Sequence, residues 1–480
     1  MIADEMDAAR ENLIQEFAEL LTGQPKATLT AIQIFAASEE HELSYELAQL
    51  LVQVLALVDD SGLSLQRLAE QGDATGRFHW YLRRSALQEL GNRDRPDLVP
   101  LFRRVLLDAG SEGEVRQAAL AALVQLNDTS SLPLIRTIDP ASWYGSEETL
   151  LEARGLLGDV TASPELIEVS YDPWRHRSSA AVNGLDALQR RHGSVDPLLD
   201  EVDPGGGGRQ EARLERLAVT ALTPAVRRWA LDHLRRQESP VLPGILLRSL
   251  GDTDWLVQQG SSGLLTGLAH PPFAALQNMV TDPSAQVTAR LWAAYTLLKL
   301  GEQPFLSAIP DLKVELPGVP QDVREAIVRY WSESAEMGTD VRWLIEGLTL
   351  PAWSEADTDA IQADFPAVRG AFERAALPLE ELVEAGEFHQ QGGGTYVVGQ
   401  AGEVQVTLST LGRFAALHTW GGDNILPVET LASVRQALTE VDWTWLDPAV
   451  LSVTVVGLNV YFFGRREPLS VQDLLFYWQD

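Results

Sequence analysis

The phrase ARLWAAYTLLKLG, Ala289 to Gly301, returns in worn form along most of this 480-residue chain. A chain that repeats itself in this way folds by stacking like on like. The phrase opens with an apolar residue and an arginine, follows with a close-packing pair three and four positions on, and adds a leucine three further. Leu82–Arg83 leads to Ala86, Leu87 and Leu90, and Val115–Arg116 to Ala119, Leu120 and Leu123. Val226–Arg227 leads to Ala230, Leu231 and Leu234, and Val257–Gln258 to Ser261, Ser262 and Leu265. Ala289–Arg290 leads to Ala293, Ala294 and Leu297, and Val323–Arg324 to Ile327, Val328 and Tyr330–Trp331. Two fainter copies fall at Thr149–Gly158 and Arg175–Leu188. Apart from one gap, the steps are about thirty residues, within the range of helical arrays.

The three-and-four spacing puts the small pair and the leucine on one face of a helix. Small side chains there let two helix axes approach closely. Second helices are expected between the phrases, at Pro96–Leu107 and Val241–Leu250 among others. One helix pair cannot bury its apolar face alone, so a stack of pairs must supply the core. Residues 1–75 read as an N-terminal helical cap. Its first helix carries Leu13, Phe17, Leu20 and Leu21 and ends at Gly23 and Pro25; further helices follow at Ala27–Ala37 and Leu43–Val58.

In the cleanest copy, Asp282–Pro283 stands ahead of Ala289, Arg290, Ala293, Ala294, Leu297, Leu300 and Gly301. This unit resembles the HEAT repeat, in the short variety known as PBS-lyase HEAT-like repeats: an acidic turn followed by V-R-x-x-A-A-x-x-L-x-x-L-G. Asp252 and Asp254, Glu112 and Glu114, and Asp322 stand where the family has its acidic turn. The resemblance runs from about Arg77 to Leu348 and implies a HEAT-like α-α superhelix, or solenoid, over residues 76–350. It also implies that the phrase arginine bonds carbonyls or acids of neighbouring turns. Asp282 is expected to be an N-cap, with Pro283 in the first helical position. Such arrays serve as scaffolds and adaptors and occasionally as enzymes, bilin attachment among their activities.

The array is interrupted near 203–209, Asp203-Pro-Gly-Gly-Gly-Gly-Arg209. A phosphate cradle would need Gly-Lys-Ser/Thr at the helix start, and Arg-Gln-Glu stands there instead, so a loop is expected. Residues 351–394 read as an acidic helical linker region. From 395 to 480 the period turns from helical to alternating, which announces a small α+β domain. Its expected elements are a hairpin of Tyr396–Val398 and Val404–Leu408 about Gly399–Gly402 and a strand at Arg413–Thr419. A helix at Pro427–Val441 follows, then a second hairpin of Leu451–Val456 and Asn459–Phe463 about Gly457. A last helix, Val471–Trp478, would be capped by Ser470. The predicted fold is therefore mostly α, a solenoid followed by a small α+β domain.

The formal charge of −31 disfavours contact with nucleic acid or an anionic membrane. The absence of cysteine excludes disulfides, thiolate metal sites and cysteine nucleophiles. Lys26, Lys299 and Lys313 are the only lysines beside abundant arginine, which reads as the codon bias of a GC-rich bacterial genome. The N-terminus carries acids where a signal peptide needs a basic segment, and Leu47–Val58 is too short to span a bilayer, so a cytoplasmic protein is expected.

No catalytic constellation emerges. Histidines 41, 79, 176, 192, 233, 270, 389 and 418 show no metal-ligand spacing. Gly260-Ser261-Ser262-Gly263 lacks the spacing of a nucleophile elbow, and its serines occupy the packing positions of the phrase. Arginine pairs at 83–84, 103–104, 227–228 and 235–236 could form a basic stripe, but acids surround them. The C-terminal aromatics Trp420, Trp443, Trp445, Tyr461, Phe462, Phe463, Phe476, Tyr477 and Trp478 are expected mainly in a core.

The expected function is a non-catalytic scaffold or adaptor that holds a protein partner with a basic surface on the concave face of the array. An enzyme or enzyme-accessory role, bilin-lyase-like or metabolite-binding, is the alternative. Nucleic-acid binding through local arginines is a third possibility. No cofactor or metal is expected. Trp292, Tyr295 and Lys299 are the phrase residues with no packing role, and are the expected partner contacts.

Overall fold

The computed structural model describes residues 14–16, 18–19, 24–36, 45–59, 61–71, 79–140, 147–380, 382–402, 404–417, 426–463 and 468–479. Leu13, Phe17, Leu20, Leu21, Gly23, His41, Arg77, His418 and Trp420 lie outside them. The chain divides into two compact units, Met1–Trp229 and Ala230–Asp480.

The first unit is helical throughout its described residues. Its helices are α1 (Pro25–Ala36), α2 (Tyr45–Val58), α3 (Leu63–Gln71), α4 (His79–Gly91), α5 (Val99–Leu107), α6 (Gly113–Gln125) and α7 (Leu132–Ile135). There follow α8 (Glu147–Leu156), α9 (Ser163–Val169), α10 (Arg175–His192), α11 (Asp196–Val202), α12 (Gln210–Thr220) and α13 (Pro224–Arg236), in which the unit ends. The phrase positions Leu82, Ala86, Leu87, Leu90, Val115, Ala119, Leu120 and Leu123 are all buried in one core. Residues 203–209 form the turn between α11 and α12, with Gly205 and Gly208 at positive φ, where glycine is the least strained residue.

A recurring aspartate organises the turns of this unit. Asp108 accepts from Ser111 Oγ at 2.6 Å, and the same hydroxyl accepts from Arg83 Nη2 at 3.0 Å. One turn later Asp128 takes Arg103 Nη2 at 2.7 Å and the hydroxyls of Ser130 and Ser131. Next, Asp159 takes Arg136 Nη2 at 2.6 Å, Arg154 Nε at 2.9 Å and Thr161 Oγ1 at 2.6 Å. Asp128 and Asp159 thus tie their turns directly to arginines by charge-assisted bonds, and Asp108 ties its turn to Arg83 through Ser111.

The faint copies lack the alanine pair because glycine has taken over its task. A Cβ on Gly155 of α8 would lie 2.6 Å from Gly184 Cα of α10, so these helices cross backbone to backbone. Gly155→Ala is expected to lower the stability of the first unit by about 1–3 kcal/mol, the usual range for overpacking. Urea unfolding checks this: an unchanged midpoint would mean that the crossing is loose.

In the second unit the array continues with α14 (Leu242–Ser249), α15 (Trp255–Thr266), α16 (Phe273–Thr281), α17 (Val287–Lys299), α18 (Gln321–Trp331) and α19 (Val341–Thr349). Ala293, Ala294 and Leu297 of α17 are buried, and Gly301 follows the helix at φ +78°. Asp282 and Pro283 do not start this helix. Gln286 is the N-cap of α17, whereas Asp282 is the C-cap of α16 and accepts from Ser284 N at 2.8 Å. That bond closes the 282–285 turn, which ends ahead of the helix start at Val287. Asp254 does cap α15, accepting from Leu256 N at 2.9 Å.

Beyond α20 (Glu355–Gln362) and α21 (Phe365–Arg374) come β1 (Leu382–Glu384), α22 (Ala385–Phe388), β2 (Gly393–Gly394), β3 (Tyr396–Ala401), β4 (Val404–Ser409) and β5 (Phe414–Leu417). The chain closes with α23 (Val428–Thr439), β6 (Thr444–Trp445), α24 (Pro448–Leu451), β7 (Thr454–Asn459), β8 (Pro468–Ser470), α25 (Val471–Leu475) and β9 (Trp478–Gln479). A five-stranded sheet runs β1-β3-β4-β5-β6, antiparallel except for the parallel β5–β6 pair; β2 pairs with β9 and β7 with β8.

Four expectations need correction. The first hairpin turns at Gly402, because Gly399 and Gln400 remain paired with Val406 and Gln405. Gly399 leaves room for Leu382 of β1, whose Cδ2 would be 2.7 Å from a Cβ there. The second expected hairpin does not form: β7 runs through Gly457, kinked at φ +82°, and pairs with Pro468–Ser470 instead of Asn459–Phe463. Ser470 caps the last helix in a capping box with Asp473, but that helix stops at Leu475 and Trp478 lies in β9. Gly393–Gly394, at the end of the region expected to be a helical linker, is the strand that receives it.

Both faces of the five-stranded sheet are covered. Val397, Val406, Leu408 and Ala415 pack with Val368 and Phe372 of α21 and Val434 and Leu438 of α23. Tyr396, Val398, Phe414 and Ala416 share a core with Val323, Ile327 and Trp331 of α18 and Trp343 of α19. The last helix pair of the array and the C-terminal strands therefore have one core. Trp331 Nε1 donates to Leu474 O at 2.9 Å, and Trp343 Nε1 to Val456 O at 3.1 Å. The backbone amides of Glu336 and Asp340 donate to Asn459 O and Gly457 O, both at 2.7 Å.

Candidate functional site

The phrase arginines are engaged within the fold. Arg116 Nε donates to Leu106 O at 2.9 Å, Arg290 Nε to Val280 O at 3.0 Å and Arg324 Nη2 to Val314 O at 3.1 Å, in each case ten residues back. Arg227 Nη1 reaches Ala221 O at 2.7 Å. In the helical copies this satisfies carbonyls left open at the end of the preceding helix. Guanidiniums held in this way are withdrawn from any phosphate backbone.

Trp292 is a core residue: it is only 1% exposed, and its indole donates to Gln258 Oε1 at 2.8 Å. Gln258 stands where other copies have arginine, and the substitution supplies this acceptor. The expectation of a surface role for Trp292 is thereby corrected. Tyr295 is half-buried, with its ring edge-on to Trp292 at 5.5 Å, and burial pushes its hydroxyl pKa up. Lys299 is exposed at the end of α17. Trp255 meets Trp292 from α15 at 6.0 Å and donates to Thr339 O at 2.8 Å. A Ser262–Thr296 hydroxyl pair, 2.8 Å apart, continues the buried polar seam between α15 and α17.

A cleft of about 390 Å³ opens in the second unit where α18, α20 and the turn before β5 meet. Helix α18 presents Asp322, Glu325, Ala326 and Arg329, whose i, i+3, i+4, i+7 spacing places them along one stripe. Trp353, Asp357, Ala360 and Ile361 come from the start and face of α20. Leu411 to Phe414 form another wall, and Asp442 and Thr444 flank the buried Trp443.

Both arginines of this cleft are held. Arg329 donates from Nε to Pro351 O at 2.9 Å and from Nη2 to Asp357 Oδ1 at 3.1 Å, and its guanidinium lies 5.1 Å over the Trp353 ring. Arg413 bonds Asp364 at 2.8 Å. Bonds from Ser354 and then Arg329 lower the Asp357 pKa. Gln321 donates to Glu325 at 2.7 Å. Asp322 and Asp442 are exposed, and among the described residues their carboxylates have no ion-pair partner. Once Asp357 and Asp364 are set against the two arginines, the surplus is three carboxylates: Asp322, Glu325 and Asp442.

The expected partner contacts are not in this cleft. Its residues come from four separate segments, within 322–329, 353–361, 411–414 and 442–444, and single positions such as Asp322 and Trp353 carry no local signal. The i, i+3, i+4, i+7 polar stripe on α18 was the one legible clue. His389 lies elsewhere, stacked on Trp478 at 4.2 Å with Nε2 2.8 Å from Tyr396 Oη. Among the described residues no group of three or more His, Cys, Asp or Glu is placed to hold a metal ion, and no helix is long and apolar enough to cross a membrane.

Residues 73–144 match the family model for HEAT repeats. That span contains α4 to α6 and the copies at Leu82 and Val115, so the chain carries HEAT repeats there. Among solved structures, the chain is similar to the complex of CpcE and CpcF of phycocyanin lyase from Nostoc sp. PCC7120. The identity is 20%, over 57% of this chain and 87% of that chain, with a TM-score of 0.27. It is also similar to human deoxyhypusine hydroxylase in complex with glycerol, at 18% identity over 59% of this chain and 88% of that chain, with a TM-score of 0.21. Scores so low carry nothing from those proteins to this one. No curated protein sequence matches the chain.

Proposed function

We propose that this protein is a non-catalytic adaptor that holds a partner protein with a basic surface. On this reading residues 76–350 present the array to the partner in the cytoplasm, and residues 395–480 close its end and add a second contact. The observation that supports it is the division of charge. The phrase arginines are turned inward to carbonyls, while the chain carries a formal charge of −31 and leaves carboxylates such as Asp322 and Asp442 exposed. Complementary charge raises the rate of association and makes it sensitive to salt.

Affinity purification of the tagged full-length chain from its native extract tests this, with washes at low and high salt. A protein partner retained at low salt and released at high salt is expected. Reproducible recovery of nucleic acid, or of no protein at all, would overturn the reading. The full chain is required, since deleting 395–480 would strip the core from α18 and α19.

A further inference from the structure

We infer that the cleft between α18, α20 and the turn before β5 receives a segment of the partner in which an arginine or lysine neighbours an apolar residue. This rests on the adaptor reading and names the chemistry of the contact. The cleft is two-natured. Ile361, Phe414, Leu411 and Ala326 contribute apolar wall, and Asp322, Glu325 and Asp442 contribute charge left over after the local arginines are paired. Its volume of about 390 Å³ falls in the lower part of the range for built ligand pockets, ~300–1,000 Å³. An arginine or lysine suits such a site because its methylene stem lies along apolar surface while its head stays among carboxylates. An acidic or phosphorylated segment would face the same three carboxylates unpaired.

Arg329 keeps the site in shape without neutralising it. Its Nε donates to Pro351 O, its Nη2 to Ala352 O and Asp357 Oδ1, and its guanidinium lies over the Trp353 ring, which ties α18 to the start of α20. Asp442, at φ +57° in the turn after α23, borders the cleft from an element other than α18. The incoming cation is therefore approached from separate elements, not from one run of acids.

The test uses fluorescence polarisation of the full chain with labelled, amidated nonapeptides on Gly-Ser flanks. Their centres are Arg-Leu-Arg, Lys-Leu-Lys, Glu-Leu-Glu or Ser-Leu-Ser. The two basic peptides are expected to bind and the other two not. The double variant Asp322→Asn, Asp442→Asn is expected to weaken the basic peptides about tenfold, with a flatter salt dependence, as for rim charges. A control of equal charge change, Glu373→Gln with Glu429→Gln on exposed positions of the same unit, should leave binding unchanged. Equal loss in both variants, or none in either, overturns the inference. If the double variant still retains the partner from extract, the cleft assignment fails and the adaptor reading stands. If the wild-type chain retains no protein, both fail.

Discussion

Replacing Trp331 with alanine is expected to destabilise the second unit by about 3–5 kcal/mol, the range for emptying a buried tryptophan site. The side chain is buried in the core shared by the last helix pair and the C-terminal strands. Its ring meets Tyr477 edge-on at 4.6 Å and Tyr330 at 4.7 Å, and its Nε1 donates to Leu474 O. Alanine would open a cavity and also orphan that carbonyl. Trp331→Phe keeps most of the packing but also leaves that carbonyl unsatisfied, so a loss of about 1–3 kcal/mol is expected. Urea unfolding followed by tryptophan fluorescence and far-ultraviolet circular dichroism reads both variants. The shared core requires α18, α19 and the strands to unfold in one transition. Two separated transitions in the wild-type chain would show that the strands fold independently of the array.

The second large effect belongs to Asp159. Its carboxylate has no exposed surface, and Arg136, Arg154 and Thr161 all donate to it. Asp159→Ala removes the carboxylate from Arg136 and leaves Arg154 with Glu165. Removing one partner of a buried pair typically costs ~3–5 kcal/mol, and the lower end applies here because Arg136 is half exposed and can be rehydrated. The same geometry fixes the response to acid. Burial alone would raise the Asp159 pKa, but the bonds from Arg136, Thr161 and Arg154 together outweigh it and hold the carboxyl far below its ordinary 3.8. A pKa depressed on folding contributes stability that is present above the unfolded value and lost as pH falls towards the folded one. Asp128 is depressed in the same direction, with burial opposing and Ser130, Ser131 and Arg103 prevailing. The first unit is therefore expected to lose stability steeply below about pH 4, and Asp159→Asn should flatten that loss. Melting temperature against pH for wild type and Asp159→Asn would decide it; parallel curves would count against the account.

How much could be read beforehand depended on whether the signal was local. The phrase itself, Ala289–Gly301, falls within two residues of α17, because its small pair and leucine lie at a helical period that needs no distant partner, whereas the start read from Asp282–Pro283 was four residues early. Its arginine was legible too, since Arg116, Arg290 and Arg324 all reach ten residues back. The turns at Asp108, Asp128 and Asp159 were not among the acidic turns read from the sequence, since their hydrogen-bonding logic depends on which helix the next turn meets. Asp282 misled because an aspartate before a proline suits a cap and a self-closed turn equally well. In the C-terminal region, glycines at 399 and 457 resembled turns, yet one makes room for a neighbouring strand and the other kinks a continuous one. Trp292 looked unassigned because its acceptor, Gln258, is itself a departure from the phrase. The cleft was hidden for a related reason: Asp322, Trp353, Phe414 and Asp442 become neighbours only once α18 and the sheet share a core.

We propose that this chain, with HEAT repeats at residues 73–144 and a formal charge of −31, works by holding a protein, with the acid-bordered cleft as a contact. Hydrogen exchange of the full chain, alone and with its co-purified partner, tests it most directly. Protection gained on binding is expected in Gln321–Trp331, in Glu355–Gln362 and around residues 411–414. Protection absent from all three segments, in a complex otherwise shown to be intact, would contradict it.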